Sequence, residues 1–151
     1  MPVSNRKLTE EQKQAVARHL QISFGFMEIA RTLLRSSAEE RELRTGLSRL
    51  YYAFFHVGLG LLITLGWTDQ HLDHGRLPAE VDKYLGKTAN LRRMIRSLYE
   101  LRKCSDYDNP RFFDRFNRDI ENARRHAVYE LMRSQTNFNW MYYEARKALL
   151  Q

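Results

Sequence analysis

The chain has 151 residues, of which 43% are hydrophobic and 28% charged, so it can bury a core as one ordinary domain and is not intrinsically disordered. It has only 7 Gly and 3 Pro, which argues against a many-stranded β protein, and its single Cys excludes a disulfide framework and a cysteine-based zinc site. The net charge is +7, and residues 76–151 hold +6 of it, with 16 basic against 10 acidic residues. Arginine supplies 19 of the 25 basic residues, and its planar guanidinium suits contact with phosphate. On composition alone, however, a solvated basic surface is favoured over contact with nucleic acid.

Two long amphipathic helices are predicted in the first half. Thr9 and Gln12 have the spacing of a capping box, and apolar residues then recur at helical intervals to about residue 35. Ser37 with Glu40 repeats this start signal. The second apolar pattern runs to Gly66, which is expected to be the C-cap residue.

The second half continues as helices. The pattern predicts a loop over 67–78, a short helix over 79–85, a longer one over 88–104, another from Asn109-Pro110 to about Leu131, and a last helix over 138–150. No segment alternates with period two for long enough to predict a strand. We therefore expect an all-α protein, an up-and-down bundle of four to five main helices forming a single domain over 1–151.

No segment is expected to enter a membrane. The N-terminus lacks the apolar region of a secretory signal, and the most apolar stretch, 53–67, has 15 residues and contains a His, which is too short for a bilayer span. We predict a cytoplasmic protein.

Two short patterns superficially suggest ligand sites. Gly58-Leu59-Gly60 lacks the third glycine and the preceding strand of a nucleotide-binding loop, so close helix packing is the better interpretation. His71 and His74 lie with Asp69 and Asp73 in one short run, but no distant third ligand can be named. We interpret this run as a solvated loop and predict neither a metal nor another cofactor.

Two pairs of polar residues are stronger candidates. Arg49 and His56 lie seven residues apart on the second helix, so they share a face about 10 Å apart along its axis. They could be a core histidine and a snorkelling arginine, or they could line a polar cleft. Arg102 and Asp106 are spaced for an ion pair across one helical turn, and the residues that follow, Tyr107 to Asn109, are expected at the helix end. This segment could therefore hold only an ion pair and the end of a helix.

Two segments together resemble a known family. Residues 48–56, SRLYYAFFH, resemble the S-R-x-Y-Y-A-x-F-H signature of small prokaryotic HEPN-domain proteins, and LYELR at 98–102 followed by Asp106-Tyr107 resembles their L-Y-x-x-R-x-x-x-D-Y segment. His74-Gly75 is similar to the turn that these proteins place after the second long helix. The resemblance covers about residues 10–135.

The resemblance implies an all-α bundle that usually forms homodimers, with a polar cleft at the interface. Many HEPN domains are RNases whose site has an Arg followed four to six residues later by a His. Some are toxins that a minimal nucleotidyltransferase modifies and silences, and others are non-catalytic partners or nucleotide-binding modules. In this chain no His follows Arg102 before Pro110, and Tyr107 stands where the His is usual.

The resemblance and the residues of these segments together predict the site residues. Arg49, His56, Arg102, Asp106 and Tyr107 are expected to line one cleft, doubled by a two-fold interface. In it, Arg102 would hold the phosphate charge, His56 would be the better-poised base, Asp106 would orient either group, and Tyr107 would be a poor base at neutral pH. Phosphate contacts are predicted for Arg49, Arg102 and Lys103, and Tyr107 is also the candidate acceptor for modification by a nucleotidyltransferase.

The sequence leaves the function open between classes. An RNA-acting protein, either an RNase toxin of a toxin–antitoxin or defence module or an RNA binder, is the first hypothesis. The alternative is a non-catalytic dimeric partner of a nucleotidyltransferase, or a nucleotide-binding module, and a plain helical scaffold is the third interpretation. A homodimer could use Trp67, Phe112 and Trp140 at its interface.

Overall fold

The computed structural model describes residues 6–36, 39–68, 73–85, 89–106, 114, 116 and 118–151. Its helices are α1 (Glu10–Ser36), α2 (Glu40–Thr64), α3 (Leu77–Leu85), α4 (Ala89–Asp106) and α5 (Ile120–Leu149). The described ranges contain no strand, so the predicted all-α fold is confirmed.

Helix α2 is the centre of the bundle. It packs against α1, α3, α4 and α5, and α1 also packs against α5. Its buried side chains include the largest fully enclosed ones of the core, Tyr51 and Phe54. An apolar window of α2 is long enough to cross a membrane, but 67% of it is buried inside the bundle, as is usual for a core helix.

Small residues let neighbouring helices approach α2. A Cβ added to Gly46 would lie 2.5 Å from the Leu34 Cδ2 atom of α1, and one added to Gly58 would lie 3.1 Å from the Leu77 Cδ1 atom of α3. The packing interpretation of Gly58-Leu59-Gly60 is therefore confirmed.

The start of α1 and the end of α2 have the local structures that the sequence predicts. The Thr9 amide donates to Gln12 Oε1 (3.0 Å) and the Gln12 amide donates to Thr9 Oγ1 (3.1 Å), which is a reciprocal capping box. After α2, Gly66 adopts φ +97°, and the amides of Gly66 and Trp67 donate to the Ile63 and Leu62 carbonyls. This is a Schellman motif with glycine in the left-handed position.

The last helix differs from the prediction. The separate helices predicted to about Leu131 and over 138–150 are one continuous helix, α5, so the predicted break was wrong. The buried Ser134 hydroxyl donates to the Glu130 carbonyl (2.6 Å) within the helix, which satisfies a residue type that otherwise favours turns. The α5 N-cap is Asp119, whereas the predicted start at Asn109-Pro110, like the start signal at Ser37, lies outside the described residues.

Candidate functional site

Polar and aromatic side chains from α1, α2, α4 and the α2–α3 connection meet on one side of the bundle. Helix α2 presents three of them because their spacings of three and four residues place them on one face. We call this group the aromatic–basic cluster; its members are Phe26, Arg49, Tyr52, His56, His74, Arg102 and Asp106.

Tyr52 lies at the centre of the cluster. The Arg102 Nη2 atom donates to the Tyr52 hydroxyl (2.9 Å), and the guanidinium carbon lies 5.3 Å from the tyrosine ring centroid. The Arg49 guanidinium carbon lies 5.9 Å from the same centroid and 5.6 Å from that of Phe26. The ring of Tyr52 therefore lies close to both guanidinium groups, an arrangement favoured by cation–π attraction.

Arg102 is held in place by several groups. Its Nε atom donates to Asp106 Oδ2 (2.7 Å), and its side chain is only 13% exposed. Burial pulls the pKa of Arg102 down, but Tyr52 and Asp106 act more strongly together, and the pKa is raised overall. The guanidinium is thus a fixed, permanently charged group at the edge of the cluster.

His74 reaches the cluster from the connection between α2 and α3. Its ring centroid lies 4.1 Å from that of Phe55 and 5.6 Å from that of Tyr52. The hydroxyl of the fully buried Tyr51 lies 3.1 Å from His74 Nδ1 and donates to the His74 carbonyl (3.3 Å). One ring nitrogen is therefore engaged by Tyr51, which leaves Nε2 without a hydrogen-bond partner among the described residues.

The charge state of His74 follows from its surroundings. Burial lowers the pKa of His74, and the positive charge of Arg102 lowers it further, while Asp73 and Asp106 oppose these effects. Burial likewise raises the pKa of Tyr51 far above its usual value, so its hydroxyl stays protonated. The cluster therefore holds a neutral imidazole beside a permanent cation at neutral pH.

His56 forms a pair with His19 of α1. The two Nδ1 atoms lie 3.1 Å apart and the ring centroids 5.3 Å apart. One imidazole must donate and the other accept, so the pair cannot carry a proton on both facing nitrogens. Burial, followed by the proximity of His19 and His74, lowers the pKa of His56 to about 4, and burial followed by Arg18 lowers that of His19.

The structure brings most of the predicted site residues together. Arg49, His56, Arg102 and Asp106 belong to the aromatic–basic cluster, and His56 and Arg102 are on the same side of the bundle, linked through Phe26 and Tyr52. Lys103 points elsewhere: its ammonium pairs with Glu100 (2.9 Å) and lies 4.9 Å from the Tyr99 ring centroid. Tyr107 lies outside the described residues.

The sequence analysis did not predict that His74 belongs to the aromatic–basic cluster. The solvated-loop interpretation was wrong for this residue, which is half-buried against Tyr51 and Phe55, while Asp73 is exposed. The signal was present in the resemblance of His74-Gly75 to a family turn. His71 and Asp69 lie outside the described residues, and the part of the chain that is described has no group of three or more His, Cys, Asp or Glu able to hold a metal.

The residues proposed for a dimer interface are differently exposed. Trp67 is 9% exposed and lines a groove with residues of α1 and α2, whereas Trp140 on α5 is 39% exposed. Phe112 lies outside the described residues.

A comparison with protein families finds one match over this fold. The model of the HEPN domain matches residues 16–134, a span that contains the whole aromatic–basic cluster. No curated protein and no solved structure matches the chain significantly. At the level of the family, RNase-type or nucleotide-related functions are indicated. Because the match covers most of the chain, the protein belongs to the HEPN-domain family.

Proposed function

We propose that the chain acts on RNA as a metal-independent endoribonuclease in which His74 and Arg102 are the reacting groups. One observation carries the proposal: both side chains contact Tyr52, so a neutral imidazole and a fixed guanidinium border the same aromatic surface. Aromatic side chains stack on the bases of unpaired RNA, and arginine binds phosphate oxygens. RNase-type function within the family agrees with this assignment.

The chemistry requires a base and a centre of positive charge. In the proposed reaction His74 Nε2 accepts the proton of a ribose 2′-hydroxyl, and the 2′-oxygen attacks the adjacent phosphorus. The P–O5′ bond breaks, and the leaving 5′-oxygen takes up a proton from a water molecule, whose hydroxide is neutralised by the proton that His74 returns to solvent. The products are a 2′,3′-cyclic phosphate and a 5′-hydroxyl. Arg102 stabilises the negative charge that develops on the phosphoryl oxygens.

His74 is the better candidate base of the two cluster histidines. Both histidines use Nδ1 in a contact, but His74 packs directly against Tyr52, the residue to which Arg102 donates, whereas His56 pairs with His19 of α1. Burial lowers the pKa of both histidines, and the large shift of His56, to about 4, makes it a weak proton acceptor near neutral pH. His56 then positions the cluster and does not accept the proton.

Cleavage of a labelled RNA of mixed sequence in EDTA tests the proposal. His74→Gln and Arg102→Gln are expected to lower the cleavage rate by about 10²–10³-fold each. Arg93→Gln is the matched control because Arg93 is exposed and lies on the side of α4 opposite Arg102, so the variant loses one positive charge away from the cluster. It should retain the wild-type rate.

The chemical ends of the products test the reaction, and the His56→Gln variant tests which histidine is the base. A 2′,3′-cyclic phosphate is expected on the 5′ fragment. A rate lost in His56→Gln and kept in His74→Gln would transfer the role of base to His56. Absence of cleavage by the folded wild-type protein at micromolar concentration would refute the nuclease.

A non-catalytic role is the second candidate, because no His follows Arg102 before Pro110 and Tyr107 stands at the usual position. In that role the chain would be a homodimeric partner of a minimal nucleotidyltransferase in a toxin–antitoxin or defence pair. It predicts that Arg102→Gln weakens dimerisation, measured by light scattering, without changing any RNA cleavage. Added mass on Tyr107 after incubation with such an enzyme and ATP would identify Tyr107 as the modified residue.

A further inference from the structure

A pocket lies beside the aromatic–basic cluster and shares Arg49 and Asp106 with it. It has a volume of about 360 Å³ and is open to solvent between the first half of α2 and the last turn of α4. Its size is within the usual range for small-molecule sites. We call it the arginine pocket; it is lined by Glu40, Arg41, Arg44, Thr45, Ser48, Arg49, Ser105 and Asp106.

The two carboxylates of the arginine pocket already have cationic partners. Glu40 Oε1 lies 3.6 Å from Arg44 Nη1, and Asp106 accepts from Arg102. The Arg44 Nε atom also donates to the carbonyl of Ser105 (2.8 Å), which ties this arginine to the end of α4. The acidic groups are therefore neutralised locally and do not repel an anion strongly.

Two guanidiniums remain without a carboxylate partner among the described residues, those of Arg41 and Arg49. They stand two helical turns apart on α2, and Arg41 is exposed. Arg49 also contacts the rings of Phe26 and Tyr52, so it borders both the arginine pocket and the cluster. Guanidinium groups bind phosphate in bidentate fashion, which makes an anion with several oxygens the fitting ligand.

We propose that the arginine pocket binds a phosphate group of a nucleotide through Arg41 and Arg49. This inference rests on the proposed function: the phosphate belongs to the RNA strand, next to the bond that is cleaved, because Arg49 borders both the arginine pocket and Tyr52. A free mononucleotide offers the same chemistry, and the experiment separates the two sources.

The first arm measures phosphate recognition alone. The arginine Nε–Hε signals are followed by NMR during titration with 5′-AMP, with adenosine as the control ligand. The signals of Arg41 and Arg49 are expected to shift with 5′-AMP only, and Arg41→Gln should weaken this binding about three- to tenfold. Equal effects of adenosine and 5′-AMP, or no shift of either arginine, would overturn the phosphate site.

The second arm uses a fully 2′-O-methylated RNA strand, which cannot be cleaved. Arg41→Gln is compared with Arg93→Gln, an exposed arginine on the opposite side of α4 from Arg102, so both variants lose one positive charge. Arg41→Gln is expected to raise Kd about three- to tenfold and to reduce the slope of log K against log salt by about 0.7, the value for one phosphate contact on a single strand. Arg93→Gln should leave the slope unchanged.

The two arms fail separately from the nuclease. Cleavage by the wild-type protein with no specific effect of Arg41→Gln in either arm would refute the arginine pocket and leave the nuclease standing. No binding of RNA together with binding of 5′-AMP would assign the pocket to a free mononucleotide and would count against the proposed function. Circular dichroism checks that each variant remains helical.

Discussion

Acid is expected to destabilise the fold through the His19–His56 pair. In the native protein the imidazole of His56 is half-buried and its Nδ1 faces that of His19 at 3.1 Å, so its charged form is disfavoured. Its pKa is lowered to about 4, whereas the unfolded chain has the ordinary value of 6.5. The unfolded state therefore binds the proton first as the pH falls.

The size of the effect follows from the two pKa values. Above pH 6.5 both states are neutral at His56 and the pair contributes no pH dependence. Between 6.5 and about 4 the unfolded state alone becomes charged, and below 4 the difference is constant. The pKa difference between 6.5 and about 4, at about 1.4 kcal/mol per pKa unit, sets an upper limit of about 3–4 kcal/mol. Because the ring is half-exposed, solvent screening reduces this to about 1–2 kcal/mol.

Urea denaturation followed by circular dichroism at pH 7 and pH 4.5 measures the effect. The free energy of unfolding of the wild-type protein should fall by about 1 kcal/mol more than that of His56→Gln, since glutamine keeps a hydrogen-bonding group but does not titrate. Titrating carboxylates are common to both proteins and cancel in the comparison. Equal losses in the two proteins would refute the assignment of a lowered pKa to His56.

Three further perturbations probe packing, the cluster and a helix end. Gly46→Ala should lower the free energy of unfolding by about 1–3 kcal/mol because its Cβ would overlap an α1 side chain, whereas Gly25→Ala, with open space around the new Cβ, should raise it by about 0.5–1 kcal/mol; similar effects of both in urea would contradict this packing. Tyr51→Phe should lower the free energy of unfolding by about 1 kcal/mol and mix the ring tautomers of His74 in ¹⁵N NMR spectra, and an unchanged tautomer would count against the contact. Asp119→Ala should lower the free energy of unfolding by about 0.5–2 kcal/mol by removing the α5 cap, and a urea midpoint equal to the wild-type value would disprove that role.

The helices and their ends could be predicted where the signal is local. Capping at Thr9 and the turn at Gly66 each depend on residues within one or two helical turns, and the structure confirms both. The continuity of α5 could not be predicted in this way, because Ser134 is buried by the rest of the bundle and that burial outweighs its local preference for turns.

The site was predictable in part for the same reason. Arg49 and His56 share a face through helical spacing alone, which a sequence displays directly. The contact between His74 and Tyr51 joins residues 23 positions apart and depends on where the connection after α2 folds back. No periodicity encodes such a return, so the sequence pattern predicts a loop at His74 and does not reveal its contact with Tyr52.

Because α2 is central, the structural effect of a core mutation can be transmitted to the aromatic–basic cluster. One rigid rod carries Arg49, Tyr52 and His56 on one face and the main core contacts on the others. A rotation of this rod by about 10° would move groups about 6 Å from its axis by about 1 Å. In the proposed nuclease, a displacement of that size would reduce the rate of catalysis about 100-fold. Core substitutions that rotate α2 would therefore inactivate the site although they do not contact it. Substitutions that restore activity would be expected on the helices that pack against α2.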